Sequence, residues 1–228
     1  MKKIFTVLAF MAACLTAMSQ ELPAPKDVMK EMVRVNKYVM TKRYADPTAV
    51  MPYPSRKKNY ASNIWTRGVY YEGLMALYSV NPRNDYYDYA VRWADFHKWG
   101  MRNDDTATTN SDNYCCAQTY IDLYNLCPEP HRLRKTIACM EMILNTPENG
   151  DWTWIDAIQM GMPVLTKMGK LTGMRGILIR PGRCIHPVVI SRDYIMKRRA
   201  YGGVTRIFFL HIRNLTERIA TGPEETDG

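Results

Sequence analysis

The sequence predicts an all-α protein built of successive helical hairpins. Between residues 27 and 173, apolar side chains recur with the spacing of helix faces, and no segment shows the alternation of a half-buried strand. Short turns rich in Pro, Gly and Asn separate these segments. Helices joined by short turns run alternately up and down, so the second, fourth and sixth helices should point the same way.

The first two predicted helices enclose a long loop. The first covers residues 27–42, and a loop rich in Pro, Tyr and Lys follows over residues 44–60. The second helix begins near Ser62, a residue type favoured at N-caps, and ends before Asn81-Pro82. Met29, Met32, Val33 and Val39 of the first helix are expected to face inward, and the second helix carries the apolar residues Trp65, Val69, Leu74 and Leu77.

Four further helices complete the predicted hairpins. They cover residues 85–99, 112–126 and 130–145, and a last one runs from near Trp154 to Gly173. A glycine follows the third helix and a proline follows the fourth, as expected of residues that end helices. The third helix carries the aromatic residues Tyr89, Trp93 and Phe96, and the fifth has Leu133, Ile137, Met140 and Leu144 on one face.

The N-terminus has the composition of a bacterial export signal. Two lysines precede an apolar run over residues 4–15, and Ala17-Met18-Ser19 resembles a cleavage site before Gln20. The run is too short for a permanent membrane span. We therefore expect residues 1–19 to be a signal peptide and the protein to be periplasmic or extracellular. An alternative is a lipoprotein box at residues 11–14, which would tether the chain through Cys14.

Neither the cysteines nor the net charge points to a special binding class. Cys115, Cys116, Cys127 and Cys139 lie in helical context without metal-site spacing, so they are interpreted as small apolar helix residues, and no metal or cofactor is expected. The net charge of +9 comes mostly from the two N-terminal lysines and from residues 174–228, which have ten Lys/Arg and five Asp/Glu. The body between them has no basic stripe with stacking aromatics, which argues against nucleic-acid binding.

One end of the predicted hairpins gathers residues suited to sugar chemistry. The N-termini of the second, fourth and sixth helices carry Trp65, Asp112, and Trp154 with Asp156; Trp152 lies just before the last pair. Aromatic faces stack on pyranose rings, and carboxylates perform acid–base catalysis. Taken alone, Asp112 is more typical of an N-cap and Trp65 of a core residue. Their convergence on one rim predicts a carbohydrate pocket.

Three segments of the chain resemble a known group of enzymes. They are WTRGVYYEGLMALY (residues 65–78), SDNYCCAQTYIDLY (111–124) and WTWIDAIQMGMPVLTKMGKLTG (152–173). Together they are similar to the unsaturated uronyl hydrolases of glycoside hydrolase families 88 and 105, the latter being unsaturated rhamnogalacturonyl hydrolases. The similarity covers roughly residues 27–173.

The resemblance implies an (α/α)6 barrel, of which residues 20–173 would form the N-terminal half. It also implies removal of a 4,5-unsaturated uronic acid from the non-reducing end of lyase-generated oligosaccharides. A carboxylic acid protonates C4 of the vinyl ether, water adds at C5, and the hemiketal collapses. Asp156 matches the general acid/base, Asp112 the second pocket aspartate and Trp65 a wall aromatic, with Trp152 and Trp154 as neighbours. The sugar linked to the uronate stays open: rhamnose, another pectic sugar or a glycosaminoglycan.

The two carboxylates are expected to divide the work. A proton donor to carbon must stay protonated near neutral pH, so the pKa of Asp156 should be raised by burial among aromatics and by an ionised Asp112. The alternative is a non-catalytic carbohydrate-binding α/α toroid, which would keep the aromatics without depending on Asp156.

Residues 174–228 lose the helical periodicity and are interpreted as out-of-frame translation. Shifting the frame allows residues 200–208 to read LWWRDKDF and residues 219–228 to read CYWSRGNGW, and RGNGW resembles a motif of the same families. About six of twelve barrel helices would then be present. We therefore expect impaired activity and self-association through exposed barrel edges. The alternatives are a disordered basic extension or a basic interaction tail.

Overall fold

The computed structural model describes residues 22–53, 57–146 and 156–173. The predicted signal peptide, the tail over residues 174–228, and Trp152 and Trp154 lie outside these residues. The chain divides into two compact units, Met1–Arg43 and Tyr44–Gly228.

The first unit contains the predicted first helix. Helix α1 covers Pro25–Tyr38 and continues into a π-helical turn, Val39–Arg43. Proline in the first turn has no N–H to lose, and Asp27 in the same turn interacts favourably with the helix dipole. Predicted and observed helices agree to within two residues at the start.

The described residues of the second unit form a short β-hairpin and six α-helices. Strands β1 (Met51–Tyr53) and β2 (Lys58–Tyr60) are antiparallel, with Met51 opposite Tyr60. The helices are α2 (Trp65–Val80), α3 (Asn84–Phe96), α4 (Ser111–Tyr114), α5 (Ala117–Leu126), α6 (Arg134–Asn145) and α7 (Asp156–Thr172). Short 3-10 helices cover Arg102–Asp104 and Pro130–Arg132. The expectation of no strand was wrong for residues 51–60.

Helices α2, α5 and α7 lie side by side, and α3 packs behind α2. The arrangement is that of an all-α, partial α/α barrel. Helices α4 and α5 form one nearly continuous rod, because Cys115 and Cys116 between them keep right-handed helical angles. Gly68 on α2 allows a close approach to this junction: a Cβ there would lie 3.0 Å from Cys115 Sγ.

The core beneath the helix starts contains stacked aromatic rings and a buried, hydrogen-bonded arginine. Tyr71 stacks on Trp93 with ring centroids 3.8 Å apart, and both rings are fully buried. The buried Arg67 donates to the backbone oxygens of Asp46 at 2.8 Å and Ala49 at 2.9 Å. The loop over residues 44–50 is therefore fixed to α2.

One sequence expectation about a side chain, the N-cap of α2, was wrong. Ser62 does not cap α2, which starts at Trp65; its hydroxyl instead lies 2.7 Å from His97 Nε2 and donates to Pro47 O at 3.3 Å. Phe96 is 56% exposed, because α3 ends there and packs through Tyr89 and Trp93. Val69 and Ile137 are also largely exposed. The four cysteines of the described residues are unpaired, and Cys115, Cys116 and Cys139 are buried.

Candidate functional site

Asp112 lies in the first turn of α4, and its carboxylate does not cap the helix. Asn110 is the N-cap, and its Oδ1 accepts the Asp112 N–H at 2.9 Å. The alternative that Asp112 merely caps the helix is therefore wrong. Among the described residues, no side chain donates a hydrogen bond to its carboxylate.

The environment of Asp112 favours its protonated form. Burial raises the pKa of its carboxyl, and the nearby charge of Asp156 raises that pKa further, whereas Arg102 lowers it. The charge of Asp156 therefore acts on Asp112 across the rim.

Asp156 is the first residue of α7 and is exposed. Helix α7 packs on α4, which brings the two predicted carboxylates to the same rim. The burial that the sequence predicted for Asp156 is not observed; burial is instead found at Asp112. The adjoining Trp152 and Trp154 lie outside the described residues.

Trp65 is the first residue of α2 and is 38% exposed, so its ring is accessible. Its helix contacts the α4–α5 junction through Gly68, three residues later. The structure therefore places the helix starts that carry Trp65, Asp112 and Asp156 together.

Arg102 is a site residue that the sequence reading did not single out. It lies in the loop before α4, where its guanidinium covers the Tyr60 ring at 4.8 Å and donates to Asn113 Oδ1 at 3.2 Å. Its buried Nε has no partner within the described residues. No motif marks this residue, because its proximity to Asp112 depends on the path of the loop.

A second cluster of polar side chains lies on α2, α5 and α7, away from the rim; we call this surface the wall. A pocket of about 570 Å³ lies between α2, α5 and α7 and includes Glu72, Asp122 and Lys167. Lys167 Nζ donates to both carboxylate oxygens of Asp122 at 2.7 Å. Burial raises the pKa of Glu72 to about 7, and this carboxylate accepts a hydrogen bond from Gln159 Nε2 at 2.5 Å.

Metal-binding clusters and membrane-spanning helices are absent from the described residues. Over residues 22–53, 57–146 and 156–173, no group of three His, Cys, Asp or Glu could hold a metal ion. No helix in this part of the chain has the length and apolarity to cross a bilayer.

Carboxylates and an accessible aromatic at one rim of a helical wall are features that sugar-binding sites use. The family model described as Glycosyl Hydrolase Family 88 matches residues 28–178, and the chain belongs to this family. Among curated proteins, none matches.

Two solved structures have a similar fold. "Glycosyl hydrolase family 88 from Bacteroides vulgatus" has a TM-score of 0.56 and 26% identity, covering 75% of this chain and 49% of that one. "Polysaccharide Lyase BACCELL_00875" has a TM-score of 0.60 and 25% identity, covering 71% and 45%. These similarities confirm the all-α partial barrel. The chain spans about half the length of both proteins.

Proposed function

We propose that this chain is a glycosidase that removes a 4,5-unsaturated uronic acid from lyase-generated oligosaccharides. The observation that carries the proposal is the pair Asp112 and Asp156 on adjacent helix starts, in a chain of glycosyl hydrolase family 88. Vinyl-ether hydration needs one carboxyl that keeps its proton near neutral pH. Partial burial and a neighbouring carboxylate, which raise the pKa of Asp112, act in this direction.

The proton is transferred to C4, and water then adds at C5. Asp156 is the proposed donor because its exposed side chain can reach a substrate at the rim, and Asp112 orients the attacking water. Arg102 adds positive charge beside the pair, which favours the approach of an anionic uronide. Trp65 offers an accessible ring for stacking on the sugar.

The finer assignment is to the rhamnogalacturonyl type, with a substrate in which the unsaturated uronate is linked to rhamnose. Its support is the similarity of the segments around Trp65, Asp112 and Asp156 to family 105. An unsaturated chondroitin disaccharide is the matched competitor, and we expect the rhamnose-linked substrate to have the higher kcat/KM.

The test follows loss of the ultraviolet absorbance of the unsaturated uronide with the purified full chain. We expect Asp156→Asn to lower kcat at least about 100-fold, the typical contribution of a general acid. Asp88→Asn, an exposed carboxylate change on α3, is the control and should leave kcat unchanged. Circular dichroism verifies that each variant is folded.

Each other outcome contradicts the proposal in a distinct way. Near-normal turnover by Asp156→Asn removes the assigned donor. The non-catalytic carbohydrate-binding alternative is indicated if the wild-type chain does not turn over the rhamnose-linked unsaturated disaccharide but binds it saturably in an NMR titration.

A further inference from the structure

Helix α7 contains a proline that deprives one backbone carbonyl of its helical donor. Pro163 lies inside the helix and has no N–H. The carbonyl that this N–H would serve belongs to Gln159, four residues earlier, and lies in the turn that begins at Asp156. Backbone carbonyls in folded proteins are usually paired, with protein groups or with water. The partner of the Gln159 carbonyl must therefore come from outside α7.

A glutamine from the neighbouring helix supplies that partner. Gln118 on α5 donates through Nε2 to the Gln159 carbonyl at 3.1 Å and to the Met160 carbonyl at 3.2 Å. Its side chain is only 4% exposed, so water cannot readily replace this donor. A side-chain amide thus takes the place of the N–H that Pro163 lacks.

The side chain of Gln159 is tied to a third helix. Its Nε2 donates to Glu72 Oε2 on α2 at 2.5 Å. Gln159 is therefore bonded to α5 through its main chain and to α2 through its side chain. Residues three apart share a helix face. The turn that begins at Asp156 consequently cannot rotate about the axis of α7 without breaking these bonds.

We propose that Gln118 is a positioning residue for Asp156, which it holds at the rim by substituting for the missing N–H of Pro163. Its role in turnover rests on the proposed function. The effect of Gln118 on the placement of Asp156 is independent of the proposed function, and it can be measured without substrate.

The test is a double-mutant cycle between Gln118 and Pro163. Gln118→Met removes the donor at similar volume, and Pro163→Ala restores an N–H that can serve the Gln159 carbonyl. The readout of position is the pKa of Asp112 from a carbon-13 NMR titration, because nearby Asp156 raises that pKa. Asp156→Asn gives the reference for complete loss of the Asp156 charge.

We expect Gln118→Met to lower the pKa of Asp112 in the same direction as Asp156→Asn. It should also lower kcat by about 10- to 100-fold, as a misplaced reacting group does, with a smaller effect on KM. In the Pro163→Ala background, the same Gln118→Met change should leave both quantities nearly unchanged. This loss of effect distinguishes positioning from general packing, since a packing defect would persist.

Three results would overturn the proposal. One is an equal effect of Gln118→Met in both backgrounds. Another is a lower melting temperature of Gln118→Met with unchanged Asp112 titration. The third is an unfolded double variant, because Pro163→Ala should make the glutamine dispensable. If the wild-type chain lacks turnover while the Asp112 titration behaves as expected, the proposed function fails and the positioning role stands.

Discussion

The same helices carry charged side chains that are paired in one region and unpaired in another. At the rim, Asp112 and Asp156 have like charge, and no described side chain donates to the Asp112 carboxylate. Along the wall formed by α5 and α7, Lys167 donates to both oxygens of Asp122 at 2.7 Å. The wall pair holds two helices together, whereas the rim pair raises the energy of its charged state. Carboxylates whose charged form is disfavoured by a like charge are typical of functional sites.

The largest expected effect on stability comes from breaking the wall pair. Lys167→Met leaves the carboxylate of Asp122, whose side chain is only 27% exposed, without its donor. We expect the free energy of unfolding to fall by about 1 to 2 kcal/mol, between the values for an exposed ion pair and for a buried charged group left unsatisfied. Urea unfolding followed by circular dichroism measures the change.

The double variant Lys167→Met/Asp122→Asn is the matched control. It removes both charges, so most of the lost stability should return. An equal loss in the single and double variants would show that packing of the lysine stem, rather than the ion pair, joins α5 to α7.

Sequence periodicity alone predicted the helices and their order. It could do so because each of α2, α3 and α6 buries one face, and a buried face leaves a repeat in the sequence. The alternation of hairpins then predicted that Asp112 and Asp156 share a rim. The shared rim could be predicted from the sequence because it depends on the directions of the helices and not on any individual contact.

Features that depend on contacts between distant residues were not predictable. The strands β1 and β2 are only three residues each, too short for an alternation to be recognised. Ser62 resembles an N-cap until its partner His97, 35 positions away, is known. The donation from Gln118 to Gln159 likewise has no local signal, although Pro163 reveals that some donor is required.

A smaller effect is expected from pH at the wall. The pKa of Glu72 is raised by burial to about 7 in the folded protein, above the ordinary value of 4.5. The folded state then binds more protons than the unfolded state between these two values, so stability falls as the pH rises through this window. A full shift of this size corresponds to about 3 kcal/mol. The partial exposure of Glu72 reduces our expectation to about 1 kcal/mol.

The Glu72→Gln variant checks this dependence. Its free energy of unfolding should lose the decline between about pH 4.5 and pH 7 that the wild type shows. Measurements of chemical unfolding at several pH values provide the comparison. A decline of unchanged size in the variant would assign the titration to another group.

The smallest expected effect lies at the rim and has the opposite sign. Asp112→Asn removes a partly buried charge and its repulsion with Asp156, both of which disfavour the ionised form. We expect the free energy of unfolding at neutral pH to rise by between about 0 and 1 kcal/mol, discounted for the exposure of the side chain. Since the pKa of Asp112 is raised on folding, this gain should vanish at low pH, where the carboxyl is protonated in both states.

A variant that is more stable yet inactive on the unsaturated disaccharide would show that the rim keeps its unpaired carboxylates at a cost in stability, as functional sites commonly do. A clear loss of stability at neutral pH would instead give Asp112 a structural role like that of Asp122, and the contrast between rim and wall would not hold.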